Sequence, residues 1–194
     1  MNAGRCFFVL LLAAALALAG CDKRAFRTTD ITGAGFARGF ALTDHSGKTR
    51  TLADYKGKVV AIFFGYTQCP DICPTALAQF AAVMKALDGD ADRVQILFVT
   101  VDPERDTPEL LAKYVPAFDP RFVGLYGDKD ATAATAKEFK VIVQKQAGKT
   151  PDTYTVDHSA GIYIFDPAGK VRLFARHDQP LEDLTADIKL LLRG

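Results

Sequence analysis

The sequence lacks an excess of either charge: 24 lysines and arginines stand against 23 aspartates and glutamates, a net of +1. That balance gives no electrostatic footprint for nucleic acid and none for a strongly acidic partner, so no nucleic-acid partner is expected. No internal repeat or low-complexity tract is visible. The longest apolar run, Cys6 to Gly20, has about 15 residues and falls short of the roughly 20 that a spanning helix needs. Metal- and redox-active side chains are also scarce, with four cysteines and three histidines. What remains, 49% apolar and 24% charged over 194 residues, is ordinary for one domain with a well-buried core.

Arg5 followed by the uncharged run to Gly20 reads as a secretory signal over residues 1–20. The run ends in Leu18-Ala19-Gly20-Cys21, which resembles the lipobox of bacterial lipoproteins, in which the cysteine takes a diacylglyceryl group and becomes the first residue. Cys21 is therefore the expected lipidation site, placing the protein in the bacterial cell envelope, anchored in the membrane through lipid. Asp22 resembles the residue that holds some lipoproteins on the periplasmic face of the inner membrane. Residues 21–38, polar and rich in glycine, then read as a tether, and 39–194 as the folded domain. Cys6 leaves with the signal and Cys21 is blocked. Any thiol chemistry must come from Cys69 and Cys73.

From Phe40 to Leu52 two short extended pieces surround Asp44-His45-Ser46-Gly47-Lys48, an N-terminal hairpin with His45 as an exposed turn residue. Val59–Tyr66 is a continuous apolar run of strand length, the pattern of a strand covered on both faces, and Val94-Gln-Ile-Leu-Phe-Val-Thr-Val101 repeats the buried-strand pattern. Between them Leu77, Phe80, Ala81, Met84 and Leu87 recur at helical spacing, so Met84 belongs to the core and not to a metal. Thr107 and Pro108 fit the N-cap and first position of a second helix. Phe122–Tyr126 reads as a strand, Asp130–Phe139 as a helix and Val141–Val143 as a short extended piece. Ile162–Phe165 and Val171–Phe174 form a closing hairpin before an amphipathic helix over about 181–192. This order implies an α/β fold of thioredoxin-like type, a central mixed sheet flanked by helices.

Cys69 and Cys73, at the strand-to-helix junction, are four residues apart. In a first helical turn that spacing puts both sulfurs on one face, with α-carbons about 6 Å apart, within reach of a disulfide or a shared metal. The helix N-terminus would lower their pKa values. A static bridge over so short a loop would constrain the unfolded chain little. Thioredoxin-type oxidoreductases use two intervening residues, and the three found here shift the balance toward metal. Two thiolates favour Cu(I), or zinc with further ligands, and copper usually recruits an imidazole. His158 lies in the loop entering Ile162–Phe165, which in thioredoxin-like folds packs against the active-site cysteines; His45 and His177 do not.

Phe64-Gly-Tyr-Thr-Gln-Cys-Pro-Asp-Ile-Cys-Pro74, Val101-Asp-Pro-Glu-Arg-Asp-Thr-Pro108 and Val156-Asp-His-Ser159 resemble three signature segments of the SCO/SenC family, over roughly Phe40 to Leu192. The resemblance implies a thioredoxin-like fold and a site in which Cys69, Cys73 and His158 bind one copper ion; the soft ligands point to Cu(I), with Cu(II) left open. It also implies a metallochaperone that assembles the dicopper CuA centre of cytochrome c oxidase subunit II. Which of the two oxidation states is the physiological one stays open at this point. Gln68 departs from the family, many members of which have histidine there. Asp157 is a candidate for orienting the His158 ring. Asp102 is a candidate either for capping the turn after its strand or for standing near the copper, and Glu104 and Arg105 for holding that loop or meeting a partner.

Such a chaperone needs an envelope copper donor and, because the Cys69–Cys73 disulfide would remove both thiolates, a reductant of thioredoxin type. The alternative is a thiol:disulfide oxidoreductase that reduces the cysteines of the CuA site or of another envelope protein; it would not need His158. The segment around Cys69 lacks the pattern that precedes a peroxidatic cysteine, which disfavours a peroxidase.

Overall fold

The computed structural model describes residues 25–150 and 153–194. The first half runs β1 (Thr29–Asp30), β2 (Ala41–Asp44), β3 (Thr49–Thr51), β4 (Val59–Gly65), α1 (Ile72–Leu87), β5 (Val94–Thr100) and α2 (Pro108–Tyr114). There follow β6 (Val123–Tyr126), α3 (Lys129–Glu138), β7 (Val143–Gln146), β8 (Thr155–His158), β9 (Gly161–Phe165), β10 (Val171–Arg176) and α4 (Leu181–Leu192). Eight strands form one sheet in the order β1-β10-β9-β4-β5-β6-β2-β3, and β7 and β8 pair as a separate ribbon.

β4 and β5 are buried along their whole lengths because layers cover both faces, which is why their sequences show no alternation. They pair in parallel from Val59 opposite Val94 to Gly65 opposite Thr100, so both strands end at the same edge of the sheet. β9 runs antiparallel to β4, and β10 antiparallel to β9. The mixed sheet expected from the order of elements is the one observed. α1 buries Cys73, Ala76, Leu77, Phe80, Val83, Met84 and Leu87, a stripe at three- and four-residue spacing that lies against the sheet beside α4. Met84 is a core residue, as its spacing predicts. α2 begins as expected: the Thr107 side chain accepts from the Leu110 amide at 3.3 Å, with Pro108 in the first turn.

Three local readings change. Val141 precedes β7 and does not belong to it, and His158 ends a strand paired with β7 where the sequence implies a loop. Every residue of β7 is exposed, so it carries no apolar pattern by which a strand could be read. His45 is half-buried, and its Nδ1 accepts a hydrogen bond from the Gly124 amide at 3.0 Å, joining the hairpin to β6.

Residues 27–30, which the sequence reading assigns to a tether over 21–38, are docked on the domain. The buried Asp187 carboxylate accepts from the Thr28 amide at 2.9 Å, the Thr28 hydroxyl at 2.7 Å and the Arg27 amide at 3.0 Å, and β1 then joins the sheet edge beside β10. These hydrogen bonds dock the segment together with Phe26, Ile31 and Phe36, which pack against the core. Asp187→Ala leaves buried donors unpaired and is expected to lower stability by about 2 kcal/mol; denaturant titration measures the loss, and hydrogen exchange should quicken at Thr28 and along β1. The signal over residues 1–20 and the lipid site Cys21 lie outside the described residues. Among those described, no helix is long and apolar enough to cross a membrane.

Candidate metal centre

The site lies where β4 gives way to α1, facing the end of β8. After Gly65 the chain turns through Tyr66–Pro70, and the Cys69 amide donates to the Tyr66 carbonyl at 3.2 Å. α1 begins only at Ile72. Cys73 therefore sits in the first turn, whereas Cys69 precedes the helix, a correction to the reading that places both in that turn. The Cys69 sulfur accepts from the Cys73 amide at 3.4 Å, so it occupies the position of a capping group and satisfies one unpaired helix donor. Both thiols are free.

One donor atom from each of Cys69, Cys73 and His158 lies within 4.8 Å of the others. Cys73 Sγ stands 3.6 Å from His158 Nε2. Bonds of about 2.3 Å to sulfur and 2.0 Å to nitrogen would separate two such donors by roughly 3.5–3.7 Å in tetrahedral or trigonal geometry. The observed spacing therefore suits a shared ion. His158 Nδ1 is 3.3 Å from the Ser159 carbonyl, which can only accept, so Nδ1 carries the proton and the Nε2 lone pair faces the thiol. The rings of Phe63 and Tyr66 meet the imidazole edge to face at 6.2 and 6.0 Å and fix its plane.

Burial sets the protonation state. Cys73 is fully buried, and desolvation pushes its thiol far above the ordinary cysteine range, with the neighbouring Cys69 adding to the shift. The lowering expected from the helix N-terminus is overridden at this position. Desolvation likewise lowers the pKa of His158, so the resting pair is a neutral thiol facing a neutral imidazole. Metal must displace the Cys73 proton, so affinity should rise with pH through neutrality by about tenfold per unit for each proton released. A Cu(I) competition series from pH 6 to 9 measures that slope, and a flat profile would contradict the protonated thiol.

Gly65 has a steric role here. A Cβ at this position would stand 2.8 Å from both Cys73 Sγ and Phe98 Cε2. Above the buried Cys73, an open groove of about 490 Å³ runs between Tyr66, Cys69–Ile72 and Thr155–His158, giving access to the Cys69 and His158 side of the site.

The two aspartates singled out in the sequence do other work. Asp157 lines the groove but its carboxylate bonds elsewhere, accepting from Gln146 Nε2 at 2.8 Å across the β7–β8 ribbon. The Ser159 carbonyl, not Asp157, orients the ring. Asp102 is buried but neither caps the turn with its side chain nor belongs to the donor cluster. It holds Arg105 Nε at 2.5 Å and accepts from the Tyr154 hydroxyl at 2.7 Å. His177 stays outside the cluster.

Sequence reasoning misses several supports. The Tyr66 hydroxyl accepts from the Val156 amide at 3.3 Å, joining the thiol turn to β8. Buried Asp106 accepts from the Thr67 hydroxyl at 2.6 Å, the Thr67 amide at 3.0 Å and the Thr100 hydroxyl at 2.6 Å. Both residues lie inside the signature segments, which was the available signal, but spacing alone does not show their partners.

The SCO1/SenC family model matches residues 28–193. The chain belongs to the SCO1/SenC family. A curated member, the mitochondrial SCO2 homologue of Bos taurus, is 37% identical over 152 residues, covering 77% of this chain and 57% of the relative. The chain thus spans little more than half the length of that relative. Among solved family structures, Bradyrhizobium japonicum ScoI with copper bound has a TM-score of 0.73 at 42% identity, over 79% of this chain and 97% of that one. A SCO1/SenC family lipoprotein from Bacillus anthracis reaches 0.71 at 27% identity, over 86% and 99%. BsSco, described through a disulfide switch and as a member of the Sco family of cytochrome c oxidase assembly proteins, reaches 0.68 at 26% identity, over 86% and 98%.

Proposed function

We propose that this protein is a copper metallochaperone of the bacterial envelope, in which Cys69, Cys73 and His158 hold one copper ion destined for the CuA centre of cytochrome c oxidase subunit II. The observation that carries this reading is the convergence of two free thiols and one imidazole nitrogen within 4.8 Å at the foot of an open groove. Two soft sulfurs and one imidazole suit Cu(I), and the imidazole also supports Cu(II). Likeness to a copper-bound ScoI and to a protein described as belonging to an oxidase assembly family supports the same cargo and destination.

Release to an acceptor follows from the layout. Cys73 is sealed below the groove, whereas Cys69 and His158 line it. An incoming donor can replace those two in turn while Cys73 holds the ion last. Oxidation of Cys69 and Cys73 to a disulfide removes two electrons and two protons and abolishes both thiolates, so loading requires a thioredoxin-type dithiol that takes up the disulfide and is itself oxidised. Copper must come from an envelope donor. The lipobox at Cys21 supports anchoring of the protein by lipid at the periplasmic face of the inner membrane, near a membrane-embedded oxidase.

A second reading, transfer of electrons to the cysteines of the acceptor, is favoured by the free, closely placed pair itself. One assay separates the two. Copper-loaded protein mixed with the reduced, metal-free soluble domain of subunit II should generate the CuA absorption bands, and His158→Ala should not. If His158→Ala instead reduces the oxidised domain as fast as the parent, and neither protein delivers copper, the reductase reading replaces the chaperone.

A further inference from the structure

Arg105 ties together the two halves of the site without touching either thiol or the imidazole. Its Nε is held by Asp102, and its Nη1 donates to the Tyr154 carbonyl at 2.8 Å and to Gln68 Oε1 at 3.2 Å. The guanidinium carbon Cζ lies over the Tyr154 ring, 3.5 Å from its centre, and 5.6 Å from the centre of the Tyr66 ring. Gln68 precedes Cys69, and Tyr154 leads into the strand that ends at His158. The thiol turn and the histidine strand come from distant parts of the chain, and this one side chain bonds to both.

The Arg105 side chain is 12% exposed, and its Nη2 is buried without a hydrogen-bond partner among the described residues. An unpaired buried donor is unfavourable, and the ion pair with fully buried Asp102 offsets it. A flat fork also faces a ring while bonding in three directions, which a lysine cannot do.

We propose that Arg105 is the positioning residue of the copper site: it sets the spacing between Cys69 and His158, so that the imidazole joins the thiolates on one ion. The proposal rests on the copper reading above. Without Arg105, the bonds that link Tyr154 to Gln68 are lost; the Tyr66 hydroxyl and the Phe63 and Tyr66 rings still hold β8 and the imidazole, and the spacing of His158 from the thiol turn loosens. Copper then falls back on the two thiolates, as it does when His158 itself is removed.

The test is a double-mutant cycle on the full chain in detergent, read by anaerobic Cu(I) competition titration. Arg105→Gln should weaken Cu(I) binding by about 10–100-fold, the range found when a partner that orients a ligand is lost. Arg105→Lys should weaken it in the same direction, because an ammonium cannot make the fork, and it carries the cycle if Arg105→Gln does not fold. In a His158→Ala background either change should add less than about twofold. An Arg105 effect equally large with and without His158, or no effect at all, overturns the proposal while leaving the copper site standing. If His158→Ala alone leaves affinity unchanged, the copper site falls, and the proposal with it.

Discussion

Cys73→Ser is expected to leave a folded protein that no longer competes for Cu(I). The side chain is fully buried in the first turn of α1, and serine keeps its shape closely. The cost to folding is that of a buried hydroxyl, about 1–3 kcal/mol, reduced where it can donate to His158 Nε2 in place of the thiol. Binding suffers more, because a hard hydroxyl replaces the soft ligand that stands deepest in the site. The loss should exceed the roughly 100-fold that removing an outer support costs. Competition against a Cu(I) chelator, with a denaturant melt on the same sample, separates the two effects; a variant that binds copper like the parent would remove Cys73 from the ligand set.

Gly65→Ala is expected to damage the same site through packing. The added methyl would meet Cys73 Sγ and Phe98 Cε2 at 2.8 Å and Phe63 Cε1 at 3.1 Å. None of the three has room to withdraw, since all are buried in the core. Overpacking of this kind costs about 1–3 kcal/mol, and the sulfur is the smallest group to move. Copper affinity should fall together with thermal stability. Removing the sulfur should relieve part of the strain, so Gly65→Ala ought to destabilise a Cys73→Ala protein less than it destabilises the parent. Equal costs in both backgrounds would show that the methyl does not press on Cys73.

These effects trace which parts of the molecule the sequence reveals. The runs at β4 and β5 are legible because burial on both faces leaves mostly apolar residues with no alternation, and α1 because its buried stripe keeps helical spacing. The donor trio is legible because cysteine and histidine are scarce and His158 falls just before a central strand. β7 is not, because an exposed strand of Val, Gln and Lys has no apolar period. The protonated state of Cys73 is not either: reasoning from a helix N-terminus counts the dipole but cannot count the desolvation that outweighs it. Nor does spacing disclose that Arg105 and Tyr154, 49 residues apart, share a hydrogen bond and a stacked face, or that Asp187 reaches back to Thr28. Such pairings depend on tertiary placement, which leaves no periodic trace in the chain.

The central claim is that two thiolates and one imidazole act together on a single copper ion. Anaerobic Cu(I) competition titration of the reduced protein, beside Cys69→Ser and His158→Ala, tests it most directly. The account predicts one tightly held copper per chain in the parent and weaker binding in both variants. A parent that fails to compete for copper, or a His158→Ala variant that matches it, would contradict the account and leave Cys69 and Cys73 as a thiol-reducing pair.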